Sequence, residues 1–209
     1  VQASFGKSEK KVEDSLAALI DAYHTFYRLL PDRQSWGEPE TIWPDGNVWS
    51  KSAGDAVEAS DALVHLLAEQ GVSEKVAARF GDFAAVASAY TARSAWSAPL
   101  NYIFGRLLSA ANDLREGSAT IMTDRNNTVF DGKSAQYLLT LIARVVNTEI
   151  EKAVEKTRGA HALLGRYHTE YEILTRSSGS LTFEDAQFLL TQANTSSGGV
   201  TISRLQGEE

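Results

Sequence analysis

The chain has 209 residues, no cysteine and a formal net charge of −7. This length suits one domain with a sizeable core, and the lack of cysteine excludes disulfides, thiolate metal sites and a cysteine nucleophile. The acidic balance argues against a dedicated nucleic-acid-binding domain. Residues 71–144, with eight basic and six acidic side chains, form the most basic third of the chain.

The first predicted helix covers residues 8–30 and ends at Pro31, because proline interrupts a helix. Its apolar side chains recur at helical spacing, which predicts one broad buried face. The members of that face are Val12, Leu16, Leu19, Ile20, Tyr23, Phe26, Tyr27 and Leu30.

An irregular loop is predicted over residues 31–54, which hold three of the four prolines and three of the four tryptophans. Loops of this length in compact domains are usually functional or packed down by their own side chains. The favoured interpretation is that the aromatic rings pin the loop to the helices, since tryptophan is usually largely buried. The alternative is an aromatic contact surface for a partner or an apolar ligand, formed by Trp36, Trp43 and Trp49.

Three further helices are predicted in the middle of the chain, over residues 55–70, from Ser73 to Tyr90 and from Pro99 to Leu114. Val57, Leu63, Leu66 and Leu67 are expected to be buried. The stretch 83–105 carries one charge, Arg93, and its length favours core helices over a hairpin that inserts into a membrane. A weak strand is predicted over 119–123, followed by a polar turn.

The longest predicted element is a helix over residues 133–175, roughly 60 Å long at the rise of an α-helix. Its apolar or small residues alternate at four and three steps, which is the pattern of a coiled-coil seam. The seam consists of Leu139, Ala143, Val146, Ile150, Ala153, Thr157, Ala160, Leu164, Tyr167, Tyr171 and Leu174. We expect this helix to be the spine of the fold.

The distal part of the spine is a candidate interface, with Leu164, Tyr167 and Tyr171 as its contact residues. If the seam binds another subunit, Leu164→Asp or Tyr171→Asp should dissolve the oligomer and leave the helices intact. If the seam packs inside the chain, the same substitutions should unfold the domain, because an unpaired charge is costly to bury.

A short last helix is expected after Thr182, where Asp185 three residues later forms a capping-box-like start. Residues 195–209 are rich in serine and glycine and are expected to form a flexible polar tail. Together these elements predict an all-α fold, a bundle of five to six helices organised around one very long helix. Residues 1–194 are expected to form a single domain.

No pattern in the sequence indicates catalysis. The four histidines are spread from His24 to His168 and do not have the spacing of metal ligands. The Gly-x-Ser-x-Gly motif of serine hydrolases is missing. We therefore expect a protein that is not an enzyme and uses no cofactor or metal.

A resemblance to a known family rests on three short motifs. These are Trp43-Pro44-Asp45 after a helix and an irregular segment, a helix ending in Leu63-Val64-His65-Leu66-Leu67, and a late helix that runs into Thr175-Arg176-Ser177-Ser178 and then Phe183-Glu184. In this order they resemble the coat proteins of rod-shaped plant viruses of the tobamovirus type. The resemblance implies a helical capsid subunit that assembles on RNA, with arginines facing phosphate.

The sequence thus favours a non-catalytic structural subunit that packs against copies of itself or other subunits, most concretely a coat or shell protein. The alternative is a helical bundle that binds a ligand or acts on membranes, of the effector or toxin type, without a stable membrane span. A nucleic-acid partner is expected only in the coat-protein case. The anion contacts would then be sought in the basic middle third, at Arg93, Arg106, Arg115 and Arg125.

Overall fold

The computed structural model describes the backbone of residues 2–50 and 54–196 and, within these ranges, all side chains except those of 2–9, 184 and 191–196. In chain order the described elements are α1 (Gln2–Leu29), a 3-10 helix (Arg33–Trp36), α2 (Pro39–Ile42), α3 (Ala56–Glu69), α4 (Glu74–Ser88), α5 (Ala98–Ser109), α6 (Ala111–Arg115), β1 (Ser118–Thr123), β2 (Asn126–Asp131), α7 (Gly132–Ser178) and α8 (Phe183–Ser196). The all-helical class and the very long helix in the C-terminal half are confirmed.

The chain packs as two compact units. The central unit is Asp32–Gly159, and the terminal unit combines Val1–Pro31 with Ala160–Glu209. Helix α7 supplies its first part to the central unit and its last part to the terminal unit. The single domain expected over 1–194 stays a prediction.

The central unit holds most of the buried apolar side chains. Helix α4 packs against both α3 and α5, and the β-hairpin and the first part of α7 complete the core. Its largest members that are shielded from solvent include Leu63, Leu67, Phe80, Phe83, Leu100, Ile103, Phe130 and Leu138. The stretch 83–105 therefore belongs to a protein core, as favoured from the sequence.

Helix α3 shows how capping sets the position of a helix. The Asp55 carboxylate accepts hydrogen bonds from the backbone N–H groups of Val57 and Glu58, at 2.8 and 3.0 Å, and so starts the helix. Leu63 and Leu67 then face the core, whereas Val57 is exposed, contrary to expectation. Each residue turns the helix by about 100°, which places Val57 roughly a quarter-turn from the buried face.

The hairpin contains a strand that the sequence did not predict. β1 and β2 pair antiparallel, with Ser118 opposite Asp131 and Thr123 opposite Asn126. The connecting residues Asp124 and Arg125 both have positive φ, 48° and 68°, as a two-residue type I′ turn requires. The polar turn expected at 124–127 is thus only two residues long, and its last two residues already belong to β2.

In the terminal unit, α1 runs antiparallel to the last part of α7. His24 contacts Tyr167, His168 and Tyr171, whereas residues later in α1 meet earlier positions of α7. Tyr27 contacts His161, whose Nε2 also lies 2.8 Å from the carbonyl oxygen of Pro31. Among the side chains described in this unit, Leu164 is the one apolar residue that is fully buried.

Several boundaries differ from expectation. The loop 31–54 contains the 3-10 helix and α2, and residues 51–53 lie outside the described ranges. The predicted fourth helix is divided at Ala110 into α5 and α6. Helix α8 extends to Ser196, so Thr195 and Ser196 are helical, and the rest of the predicted tail lies beyond the described residues.

Candidate functional site

The most unusual surface of the terminal unit is an apolar stripe on α1. Its members are separated by four, three, four, three and four residues, which is the heptad spacing of a helix-packing seam. We call this stripe the outer seam; it consists of Val12, Leu16, Leu19, Tyr23, Phe26 and Leu30. Leu19 is half-buried, and the other five are between 38% and 59% exposed.

A different face of α1 makes the contacts within the unit. Ile20, His24, Tyr27 and Arg28 lie about a quarter-turn around the helix from the outer seam. His24 Nε2 and His168 Nδ1 are 3.2 Å apart, so one ring donates a hydrogen bond to the other. The sequence predicted one broad buried face, which is incorrect: the structure divides it into an inner face that packs and an outer seam that is exposed except at half-buried Leu19.

An ion pair fixes α8 against α1. Arg28 Nη1 lies 2.9 Å from Asp185 Oδ1, and the Arg28 guanidinium lies 4.0 Å from the centre of the Phe188 ring. Tyr171 donates its hydroxyl hydrogen to Asp185 Oδ2 at 2.6 Å. The predicted capping box is confirmed, since Asp185 Oδ2 accepts from the Thr182 N–H at 3.0 Å and Thr182 Oγ1 accepts from the Asp185 N–H at 3.2 Å.

The electrostatics of this network favour charged Asp185 and neutral His24. Burial raises the pKa of the Asp185 carboxyl, but hydrogen bonds from Tyr171 and Thr182 and the Arg28 charge outweigh it and hold the pKa at about 2. Burial, His168 and Arg28 lower the pKa of His24, against the opposing effect of Asp185. An ionised carboxylate bound by several donors is suited to holding helices together.

The network also borders a groove. A concave space of about 800 Å³ is lined by residues of α1, the end of α7 and the start of α8, including His24, Arg28, Tyr171 and Phe188. The Nε atom of Arg28 is buried and has no hydrogen-bond partner among the described residues. Within the same described part of the chain, no three histidine, aspartate or glutamate residues are placed to hold a metal ion.

The three predicted interface residues of α7 contact their own chain. Leu164 is fully buried, and the Tyr167 and Tyr171 rings stack on each other with their centres 5.9 Å apart. Both rings also meet His24 edge-on. The inner contacts of the terminal unit therefore use this part of the α7 seam, and a role in binding another subunit stays a prediction.

The three tryptophans of the loop lie in different settings. Trp36 ends the 3-10 helix, and Trp49 is half-buried against the core with the Arg115 guanidinium 4.2 Å from the centre of its ring. Trp43 caps the C-terminus of α2, where its N–H donates to the Pro39 carbonyl at 2.8 Å. Pinning of the loop thus describes Trp49 well, and the contact-surface interpretation remains a prediction for all three.

The four predicted anion-binding arginines lie on α5, on α6 and in two turns. Arg106 lies 4.5 Å from the centre of the Tyr102 ring, and Arg115 covers Trp49. Arg125 is exposed in the hairpin turn, and Arg93 is exposed in the turn after α4. Binding of an anion by any of them stays a prediction.

The outer seam was present in the sequence but was not recognised. The same heptad rule that identified the α7 seam applies to the positions of α1, and it separates the outer seam from Ile20 and Tyr27. The ion pair between Arg28 and Asp185 had no such signal, because the two residues lie on helices at opposite ends of the chain.

Comparison with known proteins gives no relative for this arrangement: no family model, no curated protein and no solved structure matches the chain. Among its described helices, none is both long and apolar enough to cross a membrane.

Proposed function

We propose that this chain is a non-catalytic assembly subunit whose outer seam packs against the outer seam of a second copy. The observation that supports this most is the exposed heptad stripe of the outer seam: Val12, Leu16, Tyr23 and Phe26 occupy a single face of α1, and Leu30 directly follows the helix. Exposed apolar patches of this kind on folded proteins commonly mark interaction sites.

The charge of α1 suits self-association. The helix contains four basic residues (Lys7, Lys10, Lys11 and Arg28) and four acidic residues (Glu9, Glu13, Asp14 and Asp21), so its formal charge is zero. The whole chain carries −7. Two copies of α1 can therefore approach without the repulsion that the rest of the surface would impose.

The inner network holds α1 so that it can present the seam. Arg28 and His24 fix one face of the helix to α7 and α8 through the contacts to Asp185 and His168. A helix held in this way loses less conformational freedom on binding than a free helix. A coat- or shell-type particle is the most concrete form of such an assembly, and RNA would be a partner only in that form.

The test is the solution mass of two matched variants. Phe26→Asp places a charge in the outer seam, and Ala18→Asp places the same charge on an exposed position of α1 that lies about a third of a turn away. We expect the wild type and Ala18→Asp to form oligomers by light scattering, and Phe26→Asp to approach the monomer mass of 22.8 kDa. Circular dichroism should show similar helicity for all three.

Two results would contradict the proposal: a wild type that stays monomeric at high protein concentration, or a Phe26→Asp variant with unchanged mass. Negative-stain electron microscopy of the same samples separates the possible forms. Rods, rings or shells would support the coat-type assembly, and particles of a few subunits would support a small oligomer through the same seam.

A further inference from the structure

The central unit contains a second concave site that the assembly does not use. A cleft of about 350 Å³ lies between the loop after α2 and the middle of α7. This volume is near the lower end of the range for small-molecule sites. Its apolar walls include Trp43, Ile150 and Val154, and Asn147 and Glu151 add polar groups.

Trp43 differs from the other tryptophans near the core in what covers its ring. Trp49 lies under Arg115, and Trp96 packs edge-on against Phe104 with ring centres 5.1 Å apart. The Trp43 ring has no cation or aromatic ring against it among the described residues, and it is half-buried at the cleft. An open indole face in a concave site attracts cations.

The charged side chains at the rim of the cleft favour the binding of a cation. Arg158 lines the cleft, but Glu38 binds it through two hydrogen bonds of 3.2 and 2.7 Å, and Glu155 binds it at 3.0 Å. These carboxylates neutralise the guanidinium, and the hydrogen bonds from Arg158 and Arg33 lower the pKa of Glu38 to about 2. Glu151 is exposed at the rim and forms no ion pair with any described residue, so the uncompensated charge among the described residues of the rim is negative.

A hydrogen-bond acceptor completes the site. The Oδ1 atom of Asn147 is buried and accepts no hydrogen bond from the described part of the chain. An unpaired buried acceptor is destabilising, so a donor that reaches it gains affinity. The other end of this carboxamide makes only a long bond, 3.4 Å from Nδ2 to the Trp49 carbonyl, so the group can turn its oxygen toward a donor in the cleft.

From these features we infer that the cleft binds a small organic ammonium ion with an apolar body. The apolar part would lie against Trp43, Ile150 and Val154, and the ammonium group would face Asn147 and Glu151. A ligand of this class has the donors that Asn147 lacks and the charge that Glu151 leaves uncompensated. The inference is independent of the outer seam, because all its residues belong to the central unit.

The experiment titrates phenethylamine into the isotopically labelled full chain and follows the indole N–H signal of Trp43 by NMR. A ligand with so few atoms should bind with a Kd on the order of 1 mM. The neutral analogue 2-phenylethanol, which keeps the ring and one donor, should bind more weakly. The site is supported if the Trp43 signal shifts saturably with both ligands and the amine has the lower Kd.

Three variants assign the contacts. Glu151→Gln removes the rim charge from an exposed position and should weaken binding of the amine by about two- to fivefold, as expected for an exposed ion pair. Asn147→Asp replaces a carboxamide whose oxygen has no described partner by a carboxylate of the same shape, and it should tighten binding of the amine more than that of the alcohol. Glu170→Gln, at an exposed position of α7 outside the cleft, should change the affinity for neither the amine nor the alcohol.

The inference is overturned if the Trp43 signal shows no saturable shift at about ten times the expected Kd. The ammonium assignment would be overturned if the amine and the alcohol bound with equal affinity. It would also be overturned if Glu151→Gln and Glu170→Gln lowered the affinity for the amine equally. Glu151→Gln keeps the test valid if Asn147→Asp fails to fold, because residue 151 is exposed and its side chain forms no ion pair with a described residue.

Discussion

Leu164 shows how strongly the terminal unit depends on single contacts. It is fully buried, whereas most other apolar side chains described in that unit are at least partly exposed. The heptad pattern does not tell whether the α7 seam packs against another chain or against the same chain, because either kind of packing requires an apolar residue at this position.

We expect Leu164→Ala to lower the free energy of unfolding of the terminal unit by about 2–4 kcal/mol, because the substitution leaves a cavity. Leu174→Ala, on the same helix, should cost less than about 0.5 kcal/mol, because Leu174 is 66% exposed. Urea denaturation followed by circular dichroism at low protein concentration gives both values. Equal losses in the two variants would contradict the inward packing of Leu164.

At the scale of elements, periodicity predicted the helices well. The heptad pattern predicted α7 almost to its ends, because regularly spaced apolar residues over many turns are compatible with few other structures. The strand β2 was missed because it begins with Asn126 and Asn127, and asparagine is depleted in strands. Only Thr128 and Phe130 of this strand are buried, which is too short an alternation to recognise.

The candidate sites were harder to predict than the elements that form them. Trp43 was named, but Asn147 and Glu151, which share its cleft, are about a hundred residues away along the chain. Arg28 and Asp185 likewise meet only through the packing of α1 and α8. Local patterns show which residues are apolar or charged on one element, and they contain little information about which distant element faces them.

The hairpin turn offers a test of local backbone strain. Arg125 has a φ of 68°, a conformation that costs a residue with a side chain about 1 kcal/mol or more relative to glycine. Asp-Gly is a preferred pair for a type I′ turn, so Arg125→Gly should raise the free energy of unfolding of the central unit by about 0.5–1 kcal/mol.

Arg125→Ala is the control for this substitution, because it removes the same charge and keeps the backbone strain. It should leave the stability of the central unit nearly unchanged, since the Arg125 side chain is exposed. Thermal denaturation of the three proteins at equal concentration measures the difference. A stabilisation in the alanine variant equal to that in the glycine variant would assign the effect to charge instead of backbone.

At the scale of the whole molecule, the two units differ in how much apolar surface they bury. The central unit has a continuous core of buried side chains from α3, α4, α5, α6, the hairpin and α7. The terminal unit holds its helices through Leu164, the Arg28–Asp185 ion pair and a group of aromatic contacts, and its outer seam stays exposed. A unit with few buried apolar contacts opens locally at a lower free energy than a well-packed core.

Assembly through the outer seam should therefore stabilise the terminal unit selectively. At low protein concentration we expect backbone amides of α1, the last part of α7 and α8 to exchange hydrogen faster than those of α3, α4 and α5. Binding of a partner stabilises by mass action. At a total protein concentration about 100 times the Kd of self-association, roughly 7% of the chains are monomeric, so exchange in the terminal unit should slow by roughly 15-fold and exchange in α3, α4 and α5 should stay unchanged.

The same measurement on Phe26→Asp connects local stability to the proposed interface. This variant should keep the rapid exchange of the terminal unit at every concentration, because its outer seam no longer binds a second copy. Ala18→Asp should behave as the wild type does. Exchange that slows with concentration in Phe26→Asp as well would place the interface elsewhere on the molecule, since stabilisation by mass action requires the surface that binds.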